Sequence, residues 1–150
     1  MASITVSQAI RNAIESEKSA GDFYRSLVPR ARDPNTAQLL EAMSRDEEAH
    51  ARQLVRLAES LAATPLPPAA DDLAHLVEST PPLSSGAGVS FVKALYLALD
   101  AEHHAAHFYT VVADATSGGV STLFNRLAAI ERLHAEKLER ILDETTASEG

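Results

Sequence analysis

The sequence predicts an all-α protein: a four-helix bundle with a long crossover between its second and third helices. Three observations carry this expectation. Ala and Leu dominate the 45% of residues that are hydrophobic, and no segment alternates apolar with polar residues, so helix is favoured over strand. Four segments instead repeat apolar residues at spacings of three and four, the signature of a helix with one buried face. Finally, a turn-rich stretch separates these segments two and two, and it is long enough to run from one end of a bundle to the other.

The first helix is expected over about residues 7–28, carrying Ile10, Ile14, Gly21, Tyr24, Leu27 and Val28 on one side until Pro29 stops it. The second is expected over about 34–63. Asp33 is placed to cap it, Pro34 suits its first turn, and Leu40, Met43, Leu54, Leu57 and Leu61 form its apolar stripe. Residues 64–89 form the crossover, with Pro-rich ends around a short amphipathic piece, Asp71 to Ser79. The third helix is expected over about 90–115, closed by Ser117-Gly118-Gly119, and the fourth over about 120–144. The small polar tail, 145–150, is expected to fray. A chain of 150 residues in this pattern makes one domain.

Charge and cysteine content narrow the chemistry. With 21 acidic and 13 basic residues, a net charge of −8 and no basic stripe, the chain is not expected to bind nucleic acid. It has no cysteine, which removes disulfides, thiolate catalysis and cysteine-held iron–sulfur centres. No run of about 18 apolar residues suggests a membrane span, and no signal peptide is evident, so the expected location is cytoplasmic.

The acids are distributed in a telling way. Glu47 and His50 stand three apart, as do Glu131 and His134, a spacing that puts each pair on one helix face. Glu47 follows Met43 by four, and His50 leads to Leu54 and Leu57; Glu131 follows Leu127 by four, and His134 leads to Leu138 and Ile141. Glu17 interrupts the stripe of Ile10, Ile14, Gly21 and Tyr24, and Glu102 that of Leu95, Leu99, Ala106 and Tyr109. Each helix thus points one carboxylate into the core near its middle. The halves also repeat: Glu17 and Tyr24 recur 85 residues later as Glu102 and Tyr109, and Glu47 and His50 recur 84 later as Glu131 and His134. A helical hairpin used twice gives approximate twofold symmetry.

An ionised carboxylate in an apolar interior costs several kcal/mol, and four together repel one another. Two divalent cations would bring the compensating charge, with each His supplying a neutral nitrogen. The Glu/His set suits iron or manganese and admits zinc. For Tyr24 and Tyr109, core packing and a supporting hydrogen bond are both open readings. His103, His104 and His107 turn away from the seam, and His75 in the crossover carries no signal. Glu15, Asp46, Glu48 and Asp100 are expected on solvated faces.

With these residues in place, the sequence resembles the ferritin-like di-iron superfamily, specifically its rubrerythrin-like and bacterioferritin-like members, over roughly residues 7–143. The resemblance implies two iron ions bridged by Glu47 and Glu131. It makes Glu17 and Glu102 terminal carboxylates, gives each metal one of His50 and His134, and makes Tyr24 and Tyr109 hydrogen-bond donors behind the ligands. Two departures matter. Rubrerythrins usually carry a further carboxylate three residues after the third-helix ligand, where this chain has Ala105, and the cysteine-ligated rubredoxin domain is not expected. Bacterioferritins keep a haem-ligating Met where this chain has Glu48, so no haem is expected, and no fifth helix suggests a storage cage.

The activity implied is oxidation of Fe(II) by O2 or H2O2 (ferroxidase), or reduction of peroxide with an external electron donor. The alternatives are a di-iron monooxygenase of an organic substrate and a non-catalytic iron-binding or carrier module. The resemblance also implies a homodimer.

Overall fold

Asp33 caps the second helix as its position predicts. Its carboxylate accepts from the Thr36 backbone N–H at 2.9 Å and from the Thr36 hydroxyl at 2.9 Å. Those bonds satisfy donors left open in the first turn and hold the Asp33 carboxyl below its ordinary range. The computed structural model describes residues 6–62 and 88–149, with Ala62, Ser148 and Glu149 described by backbone alone. Within them the chain forms four long helices: α1 (Val6–Leu27), α2 (Pro34–Ala62), α3 (Phe91–Ala115) and α4 (Gly118–Glu149).

Local chemistry sets most of the boundaries. Pro29 turns the end of α1 into a short 3-10 segment, Val28–Arg30. The Ser90 hydroxyl caps α3 by accepting from the Lys93 N–H at 3.0 Å. At the α3–α4 turn, Gly118 takes φ 64°, a left-handed conformation that suits glycine. Ser121 Oγ reaches back to the Ala113 carbonyl at 2.8 Å and fastens that turn. The helix α4 departs from expectation at its far end. Instead of fraying from Thr145, it continues to Glu149, because no Gly or Pro interrupts it, and Thr146 Oγ1 donates to the Leu142 carbonyl at 2.8 Å. The crossover expected at 64–89, with its amphipathic piece Asp71 to Ser79, lies almost wholly outside the described residues.

Two apolar clusters define the interior. One gathers Val6, Ile10 and Ala13 of α1, Leu54 of α2, Phe108, Tyr109 and Val112 of α3, and Phe124 and Leu127 of α4. The other gathers Phe23, Tyr24 and Leu27 of α1, Leu40 and Met43 of α2, Leu95 and Ala98 of α3, and Leu138 and Ile141 of α4. The start of α1, the end of α2, the end of α3 and the start of α4 therefore share one end of the bundle. Helices α2 and α3 run the same way, the up-down-down-up order that a long crossover requires. Burying a side chain such as Phe124 or Leu95 completely contributes about 1.5–3 kcal/mol each.

The repeat seen in sequence is also physical. Arg25 of α1 pairs with Glu48 of α2, and the corresponding positions in the second half, Thr110 and Arg132, are joined by a 2.7 Å hydrogen bond with the cation on the other helix. Helices α1 and α2 approach closely at Gly21, whose carbonyl accepts from Ser44 Oγ at 2.8 Å. A Cβ at Gly21 would meet the Ser44 carbonyl oxygen at 3.4 Å and Glu47 Cβ at 3.5 Å, which are ordinary contacts. Ala106 already fills the matching place in α3. Gly21→Ala should therefore stabilise the protein by about 0.5–1 kcal/mol through lost chain entropy. Chemical denaturation checks this, and a lower midpoint would show that the α1–α2 crossing has no room for a methyl group.

Candidate metal centre

Between the two apolar clusters lies a single polar layer. Glu17, Glu47, His50, Glu102, Glu131 and His134 all point into it, and none is more than 3% exposed. Each is carried by the middle of a helix, where the apolar stripe above and below fixes the direction of the side chain.

The six residues form two overlapping groups. Glu17, Glu47, His50 and Glu131 bring one donor atom each within 4.8 Å of one another, and so do Glu47, Glu102, Glu131 and His134. Glu47 and Glu131 belong to both. His50 Nδ1 lies 3.4 Å from Glu17 Oε2 and 3.4 Å from Glu131 Oε1. His134 Nδ1 lies 2.7 Å from Glu47 Oε1 and 3.7 Å from both Glu102 Oε1 and Glu131 Oε1. The imidazole rings are nearly parallel, with 20° between planes and centroids 6.2 Å apart, as approximate twofold symmetry demands.

The tyrosines cross between halves. Tyr109 of α3 donates to Glu17 Oε1 of α1 at 2.6 Å, and Tyr24 of α1 donates to Glu102 Oε1 of α3. Both hydroxyls thus support a carboxylate, besides packing in the clusters. Each leaves the second oxygen of its glutamate without a hydrogen bond.

Those leftover atoms reveal what the layer is built to hold. Glu17 Oε2, both oxygens of Glu47, Glu102 Oε2, Glu131 Oε1 and the Nδ1 atoms of His50 and His134 are buried without a hydrogen-bond partner. Buried polar atoms are ordinarily satisfied, and seven converging here are an exception that calls for a cation. Four carboxylates and two imidazole nitrogens fit a pair of divalent ions in charge and donor type.

Without a cation the layer resists ionisation. Burial, and then the neighbouring carboxylates Glu17 and Glu131, push Glu47 well above the usual carboxylate range; burial, Glu17 and Glu102 do the same to Glu131. Burial also acts to raise Glu17, but the adjoining Glu47 and His50 and the Tyr109 hydroxyl outweigh it and hold Glu17 low. Burial works to lower His134, yet Glu102 and Asp46 raise it overall. Both tyrosines are pushed up by burial and by the adjoining acids, so they stay protonated as donors.

Asp46 has a contact that sequence reasoning did not find. Its side chain is solvated as expected, 46% exposed, but its Oδ2 also stands 3.0 Å from His134 Nε2 across the α2–α4 interface. With its proton on Nε2 facing Asp46, the neutral imidazole of His134 would present the Nδ1 lone pair inward to a metal. No spacing within one helix signals it, because the partner lies 88 positions away. Glu48 is likewise engaged, by Arg25. Glu15 and Asp100 are exposed as expected, as are His103, His104 and His107, with His103 3.9 Å from Glu139; His75 lies outside the described residues.

Comparison with known proteins bears on the fold and on the first hairpin. A family model for rubrerythrin matches residues 8–72, which hold the first hairpin with Glu17, Glu47 and His50. Among solved structures, a hypothetical protein from Pyrococcus furiosus is similar with a TM-score of 0.70 and 20% identity, covering 91% of this chain and 87% of that one, a likeness of fold. No curated protein matches the chain. The family match covers the first hairpin, less than half of the chain, and the solved structure shares the four-helix fold.

Proposed function

We propose that the protein is a di-iron oxidoreductase whose principal activity is oxidation of Fe(II) by O2 or H2O2. The observation that carries this reading is the sharing of Glu47 and Glu131 by both donor groups, which would hold two ions in one layer as a functional pair. Two iron ions supply paired one-electron steps, matching the two-electron chemistry of O2 and peroxide.

The chain's own residues have separable tasks. Glu47 and Glu131 would bridge the ions, and Glu17 and Glu102 would serve one ion each. Tyr109 and Tyr24 fix these last two carboxylates by hydrogen bonds, leaving one oxygen of each that could ligate a metal. His50 and His134 would each give a neutral nitrogen. The apolar clusters on either side exclude bulk water, so ions held there would lie in a low-dielectric layer.

Ferroxidase activity is favoured over peroxidase activity by Ala105. Rubrerythrins usually carry a carboxylate there, whereas Ala105 is partly buried against an apolar cluster and offers no oxygen donor. Aerobic Fe(II) oxidation and peroxide consumption by the iron-loaded protein separate the two. Metal that raises stability without turnover would instead indicate a carrier module.

Two outcomes are expected. Glu47→Ala removes a donor from both groups, so bound iron should fall from two per chain to one or fewer and Fe(II) oxidation should drop to background; metal analysis and an oxidation assay check this. The second concerns pH. In the metal-free protein, Glu47 and Glu131 hold protons that the unfolded chain releases in the ordinary carboxylate range, and raised His134 acts in the same sense. Their stabilisation is complete below the unfolded pKa values and is lost as pH rises through the folded ones. Glu17, held low, has the opposite sign and matters only in acid. The metal-free Tm should therefore fall as pH rises above the ordinary carboxylate range. A divalent metal at a hundredfold excess over its Kd should stabilise the protein by about 2.7 kcal/mol for each ion bound. Scanning calorimetry with and without metal gives both values, and a metal-free Tm that rises with pH would contradict the assignment of protonated carboxylates.

A further inference from the structure

We infer that the two metal positions are unequal, and that a lone divalent cation occupies the Glu102/His134 position before the Glu17/His50 position. This rests on the metal-centre reading above and goes beyond it, because doubled ligands alone would make the positions equivalent.

The immediate surroundings match pair by pair. Each position takes one terminal glutamate, each glutamate is held by a tyrosine from the opposite half, and each histidine turns Nδ1 inward. The next layer breaks the match. His134 Nε2 stands 3.0 Å from Asp46 Oδ2. Asp46 immediately precedes Glu47; in the second half the residue immediately preceding Glu131 is Ile130. Among the described residues, no carboxylate contacts His50 other than Glu17 and Glu131, which lie on its inward nitrogen.

An anionic acceptor behind a ligating imidazole does two things. It fixes the tautomer and ring orientation that leave Nδ1 free to bind, and it makes that nitrogen a stronger donor to a cation. Ile130 can do neither. Losing such a partner typically weakens metal binding 10–100-fold; Asp46 is 46% exposed, so water shares its oxygens and the lower end, about tenfold, applies. Asp46 is thus a positioning residue, acting on the metal through His134.

Stepwise affinities alone would not reveal this, since repulsion between two close cations separates the steps even at identical positions. Occupancy at each position does. Crystals of the full chain carrying one equivalent of Co(II) should show anomalous density skewed about 10:1 toward the Glu102/His134 position. Asp46→Ala should bring the ratio close to parity, and Ile130→Asp, which gives His50 the missing carboxylate, should do so from the other side. Unchanged far-UV circular dichroism would show both variants folded. Equal cobalt in the wild type, or an unchanged skew in Asp46→Ala, would overturn the inference and leave the paired centre standing. Cobalt at neither position would overturn the metal-centre reading itself.

Discussion

Four carboxylates at the centre of a helical bundle are the constraint around which the molecule is organised. Their ionised forms are costly in an apolar interior, and they stand close enough to raise one another's proton affinity. The fold answers with local neutralisation. Tyrosine hydroxyls take one oxygen from each outer glutamate, imidazoles come within 4 Å of the carboxylates, and the atoms left unpaired converge on two places. A well-packed apolar layer would hold the helices together without the cost of burying charge.

The two clusters make that arrangement possible. Each seals one side of the polar layer with large side chains contributed by all four helices. Because both seals draw on every helix, a shift in one helix disturbs both, and the donors keep their positions relative to one another. The ligands also sit mid-helix, away from frayed ends, where backbone hydrogen bonds fix them most firmly.

Most of this was legible in sequence for a simple reason: Glu or His on an otherwise apolar stripe contradicts its surroundings. Glu17 between Ile14 and Tyr24, or Glu131 between Leu127 and Leu138, breaks the pattern locally, and the repeat shows that the break is not accidental. Helix starts were legible where a cap residue stands, as at Asp33. The end of α4 was not, because small polar residues such as Thr145 and Thr146 permit helix as readily as coil, and composition alone does not decide. Asp46 was missed for a different reason. Its neighbours in sequence mark it as surface, and only the way α2 and α4 cross brings it to His134.

The paired contacts Arg25–Glu48 and Thr110–Arg132 carry a lesson about assembling a site from a doubled hairpin. Were the halves separate identical subunits, any substitution would occur on both sides of the axis, and a cation moved to one helix would move on its mirror image too. Joining the copies in a single polypeptide removes that obligation. Each side can then drift alone, so that one half comes to bear a guanidinium where the other bears a hydroxyl, while the ligands themselves stay matched. Covalent linkage thereby turns an exact dyad into an approximate one, and the approximation is where specialisation of the two sides can begin.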